Sequence, residues 1–177
     1  MSQASKHVQW CIAKAEKEVQ ELKALGKSPR HRGLREIKPS IVEARKHIAK
    51  AEHNLKAITR FNETGFSDWS LAAGFYCIYH CFLAIASKFG YASRNQTCTI
   101  ALMELLKENG KISIDPKFID MLKHTDIEEV QESKIIDMRE EYTYGTETSI
   151  EDEEKIRELT QTCKEVIDAA KIIVFGS

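Results

Sequence analysis

The feature that most constrains the fold of this chain is a run of 21 residues that is apolar on nearly every side. It reads WSLAAGFYCIYHCFLAIASKF, from Trp69 to Phe89. A helix that is apolar all round has to be covered on all sides, so we predict that this run is the central helix of a bundle. Ser67 or Asp68 is its expected N-cap, and Gly90 marks its expected end.

Amphipathic segments on both sides of this run supply the helices that would cover it. In the first, apolar residues recur every three or four positions from Val8 to Leu22. Later helices begin at recognisable N-terminal signals, namely Ser40 with Glu43, Asp115–Pro116, Thr125–Asp126, and Thr148 with Glu151. No segment alternates between apolar and polar residues for long, so no sheet is predicted. We therefore expect an all-α, up-and-down bundle of about five core helices in residues 39–177, after an additional N-terminal helix and a basic connector in residues 1–38.

Charge and hydropathy narrow the classes of function. The net charge is -1, so no global field draws the chain onto nucleic acid or a membrane. Residues 27–38 nevertheless carry five Lys and Arg against one Glu. This stretch is either a solvated face or a basic binding patch. The N-terminus lacks an apolar signal-peptide core and no window approaches the length of a membrane span, so we expect a cytoplasmic protein without a membrane partner.

The cysteines raise the questions of disulfides and of metal binding. Five cysteines, an odd number, fit reduced thiols better than a disulfide framework. Cys77 and Cys81 share a helix face, as two soft metal ligands would, and Cys98 is a further candidate ligand. A structural zinc site needs four ligands, and buried cysteines are common in cores. We predict no metal site and no cofactor.

Two stretches and a late helix together resemble a known family. ARKHIAKAEHNLKAI, residues 44–58, is followed after a short break by LAAGFYCIYHCFLAIASKFG, residues 71–90. These stretches resemble the start of HEPN-domain proteins, and in particular a small bacterial and archaeal branch whose second core helix reads roughly Ala-Tyr-Tyr-Ala-x-Phe-His. The residues in that register are Phe75, Tyr76, Ile78, Tyr79 and His80. A late helix ending at Arg139, followed by a tyrosine-containing segment, extends the resemblance over roughly residues 40–175.

The resemblance implies a helical bundle that dimerises. Many active HEPN proteins are metal-independent ribonucleases whose motif is Arg, four to six residues, and then His, with both side chains meeting at the dimer interface. Histidine moves protons near neutral pH, and the arginine fork stabilises charge on the phosphate. Other members bind nucleotides, or pair with a minimal nucleotidyltransferase in toxin–antitoxin-like systems.

This sequence departs from the catalytic motif. After Arg139, Tyr144 stands where the family places its histidine. A tyrosine hydroxyl has an ordinary pKa near 10 and is a poor base at neutral pH. Glu140 and Glu141 would also repel a phosphate if they face the same cleft. Arg139 alternatively serves only the C-terminal end of its helix, and Tyr142 alternatively belongs to the apolar stripe.

The resemblance also implies which residues line a ligand site. They are Tyr76, His80, Arg94, Arg139, Tyr142 and Tyr144, of which Arg139 and Tyr144 would be catalytic if the chain is an enzyme. His80 is alternatively a hydrogen-bonded core residue, and Arg94 an exposed residue at a helix start.

Three functions follow from these expectations. We predict a dimeric HEPN-type binding module without ribonuclease activity, whose partner is a nucleotide, RNA or a nucleotidyltransferase. The second hypothesis is a metal-independent ribonuclease that uses Arg139 with Tyr144 or His80. The third is a helical adaptor with only protein partners.

Overall fold

Helices dominate the computed structural model, which describes residues 1–123, 135–150 and 152–176. In chain order the described elements are α1 Gln3–Ala24, β1 Leu34–Glu36, α2 Ile41–Glu63, α3 Asp68–Lys88, β2 Tyr91–Ser93, α4 Gln96–Glu108, α5 Pro116–Asp120, α6 Ile135–Tyr144 and α7 Glu153–Phe175. The two strands have three residues each, so the predicted all-α class is confirmed.

The central position of α3 is confirmed. It packs against α2, α4, α6 and α7, and fully buried side chains such as Ile78, Phe82 and Ile85 lie along it. By length and composition alone, α3 could also cross a membrane, because its best 18-residue window has a mean hydropathy of 1.5. The expectation that no window reaches this length was therefore wrong. Since 72% of the window is buried inside the protein, the core helix of a bundle explains the same pattern.

Local capping signals placed two helix starts correctly. The Ser40 hydroxyl accepts a hydrogen bond from the Glu43 backbone N–H at 3.2 Å, and the Asp115 carboxylate accepts one from Lys117 at 3.0 Å. Ser67 precedes α3 as predicted, but its hydroxyl does not cap the helix.

Two other N-terminal signals have different outcomes. The buried Ser67 hydroxyl accepts a hydrogen bond from the Ile150 backbone N–H at 2.7 Å, which fixes the segment before α7 to the start of α3. The last helix begins at Glu153 and is capped by Asp152, so Thr148 lies before it instead of capping it. The position of Glu151 and the signal at residues 125–126 lie outside the described residues.

An antiparallel ribbon of β1 and β2 was not predicted. Leu34 pairs with Ser93, and Glu36 pairs with Tyr91. Leu34 is fully buried and joins the hydrophobic core, so part of the basic connector forms a strand although no sheet was predicted. Strands of three residues are too short to show a period of two, so this ribbon left no sequence signal.

The additional helix α1 packs on α4 and β1, and its side chains Val8 and Cys11 enter the main core. Cys11 forms a disulfide bond with Cys98 of α4, so the prediction that all cysteines are reduced was wrong. The two cysteines are 87 residues apart, and only the packing of α1 on α4 brings them together. The division of the chain at residue 38 stays a prediction.

The disulfide makes the first testable prediction. Three thiols, those of Cys77, Cys81 and Cys163, should react in the unfolded, unreduced protein, and five after reduction. Replacing Cys11 and Cys98 by alanine should lower the free energy of unfolding in urea by about 2–4 kcal/mol, because the bond closes a long loop in the unfolded chain.

A reductant provides the control for this experiment. It should destabilise the wild type by a similar amount and leave the double variant unchanged. Five reactive thiols without reductant would contradict the bond.

Candidate functional site

Aromatic side chains line one side of α3. Phe75 and Tyr79 stack with ring centroids 6.1 Å apart, and Tyr76 meets the Phe75 ring edge-on at 5.2 Å. The His80 ring lies 6.4 Å from that of Tyr79. We call Phe75, Tyr76, Tyr79 and His80 the α3 cluster. Phe75 is buried, whereas Tyr76 is exposed, so the cluster runs from the core to the surface.

Arg139 lies on this cluster. Its guanidinium carbon is 4.3 Å from the centroid of the Phe75 ring, which is a cation–π contact. Its Nη2 donates to the Glu140 carboxylate at 3.2 Å, while its Nε is buried without a hydrogen-bond partner. The expectation that Arg139 ends its helix was wrong, because α6 continues to Tyr144. Packing on Phe75, and not the helix dipole, therefore holds this side chain.

The two candidate catalytic residues point to different sides of α6. Arg139 and Tyr144 are five residues apart, which separates their directions by about 140° on an ideal helix. The Arg139 side chain is 17% exposed, whereas Tyr144 is 82% exposed. Tyr142, by contrast, is partly buried and packs against the core, as its place in the apolar stripe predicted.

Tyr142 also lines a groove of about 580 Å³ between α6 and α7, together with Met138 and Leu159. Apolar and polar groups share its lining, in which Glu141 and Glu158 accompany Lys155. Two carboxylates against one lysine disfavour a phosphate in this groove.

A histidine pair lies at the other end of the α3 cluster. The Nδ1 atoms of His47 on α2 and His80 on α3 are 3.0 Å apart. Burial lowers the pKa of His80 to about 4, with further contributions from the positive charges of His47 and Lys50. Burial likewise lowers the pKa of His47. Both rings are therefore neutral at pH 7, and one can donate its N–H to the other.

His47 was not among the predicted site residues. It lies within the stretch at residues 44–58, but it is 33 positions from His80, and no local pattern connects the two. Tyr79 also gains a partner that the sequence did not indicate, since its hydroxyl lies 3.4 Å from that of Thr99. Burial raises the pKa of Tyr79, which keeps its hydroxyl protonated.

Arg94 is placed apart from the α3 cluster. It follows β2, its side chain is exposed, and its backbone N–H donates to the Gly33 carbonyl at 3.1 Å. The next residue, Asn95, caps α4 by accepting a hydrogen bond from the Cys98 backbone N–H. In the described parts of the chain, no hydrogen bond or ring contact joins Arg94 to the cluster.

The cysteines that the sequence offered as candidate metal ligands, at a site that was not predicted, have other surroundings. Cys98 is in the disulfide, and Cys77 and Cys81 are buried in the core with Cys163 of α7. Among the described residues, no group of three or more His, Cys, Asp or Glu side chains could hold a metal ion.

The comparisons with known proteins agree with the arrangement of the helices. A family model described as "HEPN domain" matches residues 44–173, from α2 to α7. That range contains the α3 cluster, the histidine pair and Arg139, and it leaves out α1 and β1. No curated protein matches the chain.

The histidine pair predicts a pH dependence of stability. The pKa values of His47 and His80 lie below their ordinary value of 6.5 in the folded protein, so the unfolded state binds more protons between about pH 4 and 6.5. The free energy of unfolding should therefore fall as the pH falls through this window. After allowance for solvent screening, we expect the pair to account for about 1–2 kcal/mol of this loss.

Urea unfolding at several pH values would measure this effect. The loss should be smaller in the variant His47→Gln/His80→Gln, because its amides do not titrate. The exposed His53 serves as the control, and His53→Gln should behave as the wild type does. Equal pH slopes in all three proteins would contradict the prediction.

Proposed function

Because the chain belongs to the HEPN domain family, we propose that it is a dimeric binding module that lacks ribonuclease activity and binds a nucleotide or RNA at the α3 cluster. The observation that carries this proposal is the separation of Arg139 from Tyr144. A metal-independent cleavage needs a proton-transfer group and a cation at the same phosphate. Tyr144 points to solvent on another side of α6, and a tyrosine in its place is a weak base.

The chemistry of the α3 cluster supports binding. Tyr76 is 47% exposed and offers a ring on which a base can stack, and stacking tolerates any base. Arg139 lies on the neighbouring Phe75 ring, so the cluster also holds a positive charge. Glu140 neutralises part of that charge, so the site favours an aromatic base with one phosphate over a highly charged strand.

Exposed aromatic residues on α3 support a homodimer. Trp69 and Tyr76 are seven residues apart and therefore lie on the same side of the helix, and both are about half exposed. Phe66 is exposed just before the helix. A second copy of the chain across a twofold axis would cover the rings of Phe66 and Trp69 and bring two α3 clusters together. A nucleotidyltransferase partner would cover the same rings without self-association.

Light scattering after size-exclusion chromatography tests the dimer. We expect the wild type to be a dimer and Trp69→Glu to be a monomer, because a charge on this face has no partner across the interface. Trp10 on α1 provides a matched control, since it is 56% exposed against 53% for Trp69. Trp10→Glu should remain a dimer.

Two other outcomes would contradict different parts of this prediction. A monomeric wild type would contradict the homodimer and favour a partner of another kind. A dimer that Trp69→Glu does not weaken would place the interface elsewhere.

A second candidate is a ribonuclease that uses His80 instead of the motif histidine. The observation in its favour is the neutral imidazole pair of His47 and His80 on the cluster that holds Arg139. One neutral imidazole can accept a proton while its neighbour donates one. Against it, burial lowers the pKa of His80 to about 4, which makes this ring a weak base.

Incubation with a mixed RNA pool in EDTA distinguishes the two candidates. We expect no cleavage by the wild type. The variants Arg139→Ala and His80→Gln accompany it, and both should also be inactive. Cleavage by the wild type that Arg139→Ala abolishes would overturn the proposed function, and the additional loss of cleavage in His80→Gln would identify the histidine pair as the proton-transfer group.

A further inference from the structure

Two arginines share the outer face of the β1–β2 ribbon. Leu34 pairs with Ser93 across the ribbon. Leu34 is fully buried, and the Ser93 hydroxyl accepts a hydrogen bond from the Thr99 hydroxyl at 2.7 Å, so both side chains point into the protein. Successive side chains of a strand alternate between its faces, which directs Arg35 and Arg94 to the solvent side. Both are exposed.

The ladder of hydrogen bonds brings these two arginines close together. It continues past β2, because the Arg94 backbone N–H donates to the Gly33 carbonyl at 3.1 Å. Arg35 and Arg94 are then diagonal neighbours, which in a sheet means about 7–8 Å between their backbones. Long side chains at this distance can reach one group between them. In the described parts of the chain, neither of these two arginines makes an ion pair.

A histidine lies beside the two arginines. His31 is only 9% exposed, and its Nδ1 is buried without a hydrogen-bond partner. Burial is the main cause that lowers the pKa of His31, and the positive charges of Arg94 and Arg35 lower it further. A backbone hydrogen bond at Gly33 and the charge of Glu18 act in the opposite direction but more weakly. Each of the two arginines therefore acts on this ring more strongly than Glu18 does.

The nearby acidic residues have other contacts. The Glu18 carboxylate accepts a hydrogen bond from the backbone N–H of Arg32. The Glu36 side chain lies on the same side of the strand as that of Leu34. Burial is the main cause that raises the pKa of Tyr91, and the charge of Glu36 raises it further. Neither acid pairs with the arginines of the outer face.

We propose that Arg35, Arg94 and His31 form a phosphate-binding site on the ribbon, separate from the α3 cluster. Paired guanidinium groups match the oxygens of a phosphate. The unpartnered Nδ1 of His31 is buried, so it supplies a third contact when the ring turns toward the bound ligand. The N-terminus of α4, which starts two residues after Arg94, adds a favourable dipole. The ligand class is a phosphate ester, either a small nucleotide or an RNA strand. His31 and Arg35 precede residue 44, where the family match begins, whereas Arg94 lies within it, so the matched domain alone does not form this site.

The ribbon is held rigidly, which favours a preformed site. A side chain at Gly33 would place its Cβ 2.5 Å from the Cys11 carbonyl oxygen, so the connector lies directly on α1. Cys11 is in turn bonded to Cys98 on α4. The disulfide therefore connects the two helices that flank the ribbon, and a rigid site loses little entropy when a ligand binds.

Fluorescence anisotropy with a labelled uridine oligonucleotide of about ten nucleotides tests this site. We expect the double variant Arg35→Gln/Arg94→Gln to bind about tenfold more weakly or worse, because charge-assisted hydrogen bonds are lost. The control is Arg60→Gln/Arg157→Gln, which removes the same charge from two exposed, ion-paired arginines elsewhere. It should change the affinity by less than about twofold.

Competition with small anions identifies the chemical class and the source of the ligand. Unlabelled pyrophosphate should displace the oligonucleotide, and succinate should not. If pyrophosphate binds in calorimetry and the oligonucleotide does not, the ligand is a small phosphate ester, provided that the ribbon variant loses pyrophosphate binding. Displacement by succinate as effective as that by pyrophosphate would overturn the phosphate assignment.

Three further results would overturn the proposal. The first is a wild type that binds neither the oligonucleotide nor pyrophosphate, and the second is an equal loss of affinity in the control variant. The third is binding that Arg139→Ala abolishes while the ribbon variant keeps it, which would assign the ligand to the α3 cluster instead. In the expected case, pyrophosphate shifts the NMR signals of the His31 ring and raises its pKa, and Arg139→Ala leaves this shift unchanged.

Discussion

The rest of this structure depends on the burial of α3. Its sides are almost all apolar, and α2, α4, α6 and α7 each cover one of them. The fit is close where α7 crosses, since a Cβ at Gly74 would lie 2.6 Å from a methyl group of Leu159. The side of α3 that stays partly uncovered is the one that carries Tyr76 and His80. The candidate site is thus the part of the central helix that the bundle leaves accessible.

Burial also decides the charge of the polar groups around this helix. His47 and His80 lose hydration and stay neutral, so they can share a hydrogen bond instead of repelling each other. Arg139 keeps its charge but obtains an aromatic ring and a carboxylate as neighbours. The ribbon shows the opposite situation, because Arg35 and Arg94 are exposed and have no ion-pair partner among the described residues. The ligands we propose for the two sites therefore differ, with an aromatic base at the cluster and a phosphate ester at the ribbon.

The N-terminal segment adds a second layer to the family domain. Helix α1 covers α4, and the disulfide between Cys11 and Cys98 fixes this contact covalently. The connector after α1 supplies the strand β1, which pairs with a strand of the matched domain. The N-terminal segment, which lies outside the family match, thus completes the outer face of the ribbon. Arg94 has Arg35 and His31 as neighbours only because β1 pairs with β2.

Local patterns in the sequence determined the helices, their order and the central place of α3, because periodicity and capping act over a few residues. The cap of α2 by the Ser40 hydroxyl was correct for this reason. The reciprocal half of the predicted capping box was wrong, because the Ser40 backbone N–H donates to the Ser87 carbonyl and the Glu43 carboxylate pairs with Lys46. Only the tertiary structure decided the contacts between distant segments, which are the disulfide, the β1–β2 ribbon and the histidine pair. It also decided that the Ser67 hydroxyl accepts a hydrogen bond from Ile150 instead of capping α3. The same holds for Arg139, whose direction follows from Phe75 beneath it and from the continuation of α6 to Tyr144. Each of these contacts forms because helices that are far apart in the chain are pressed together around α3, and a local sequence pattern carries no information about which side chains then meet.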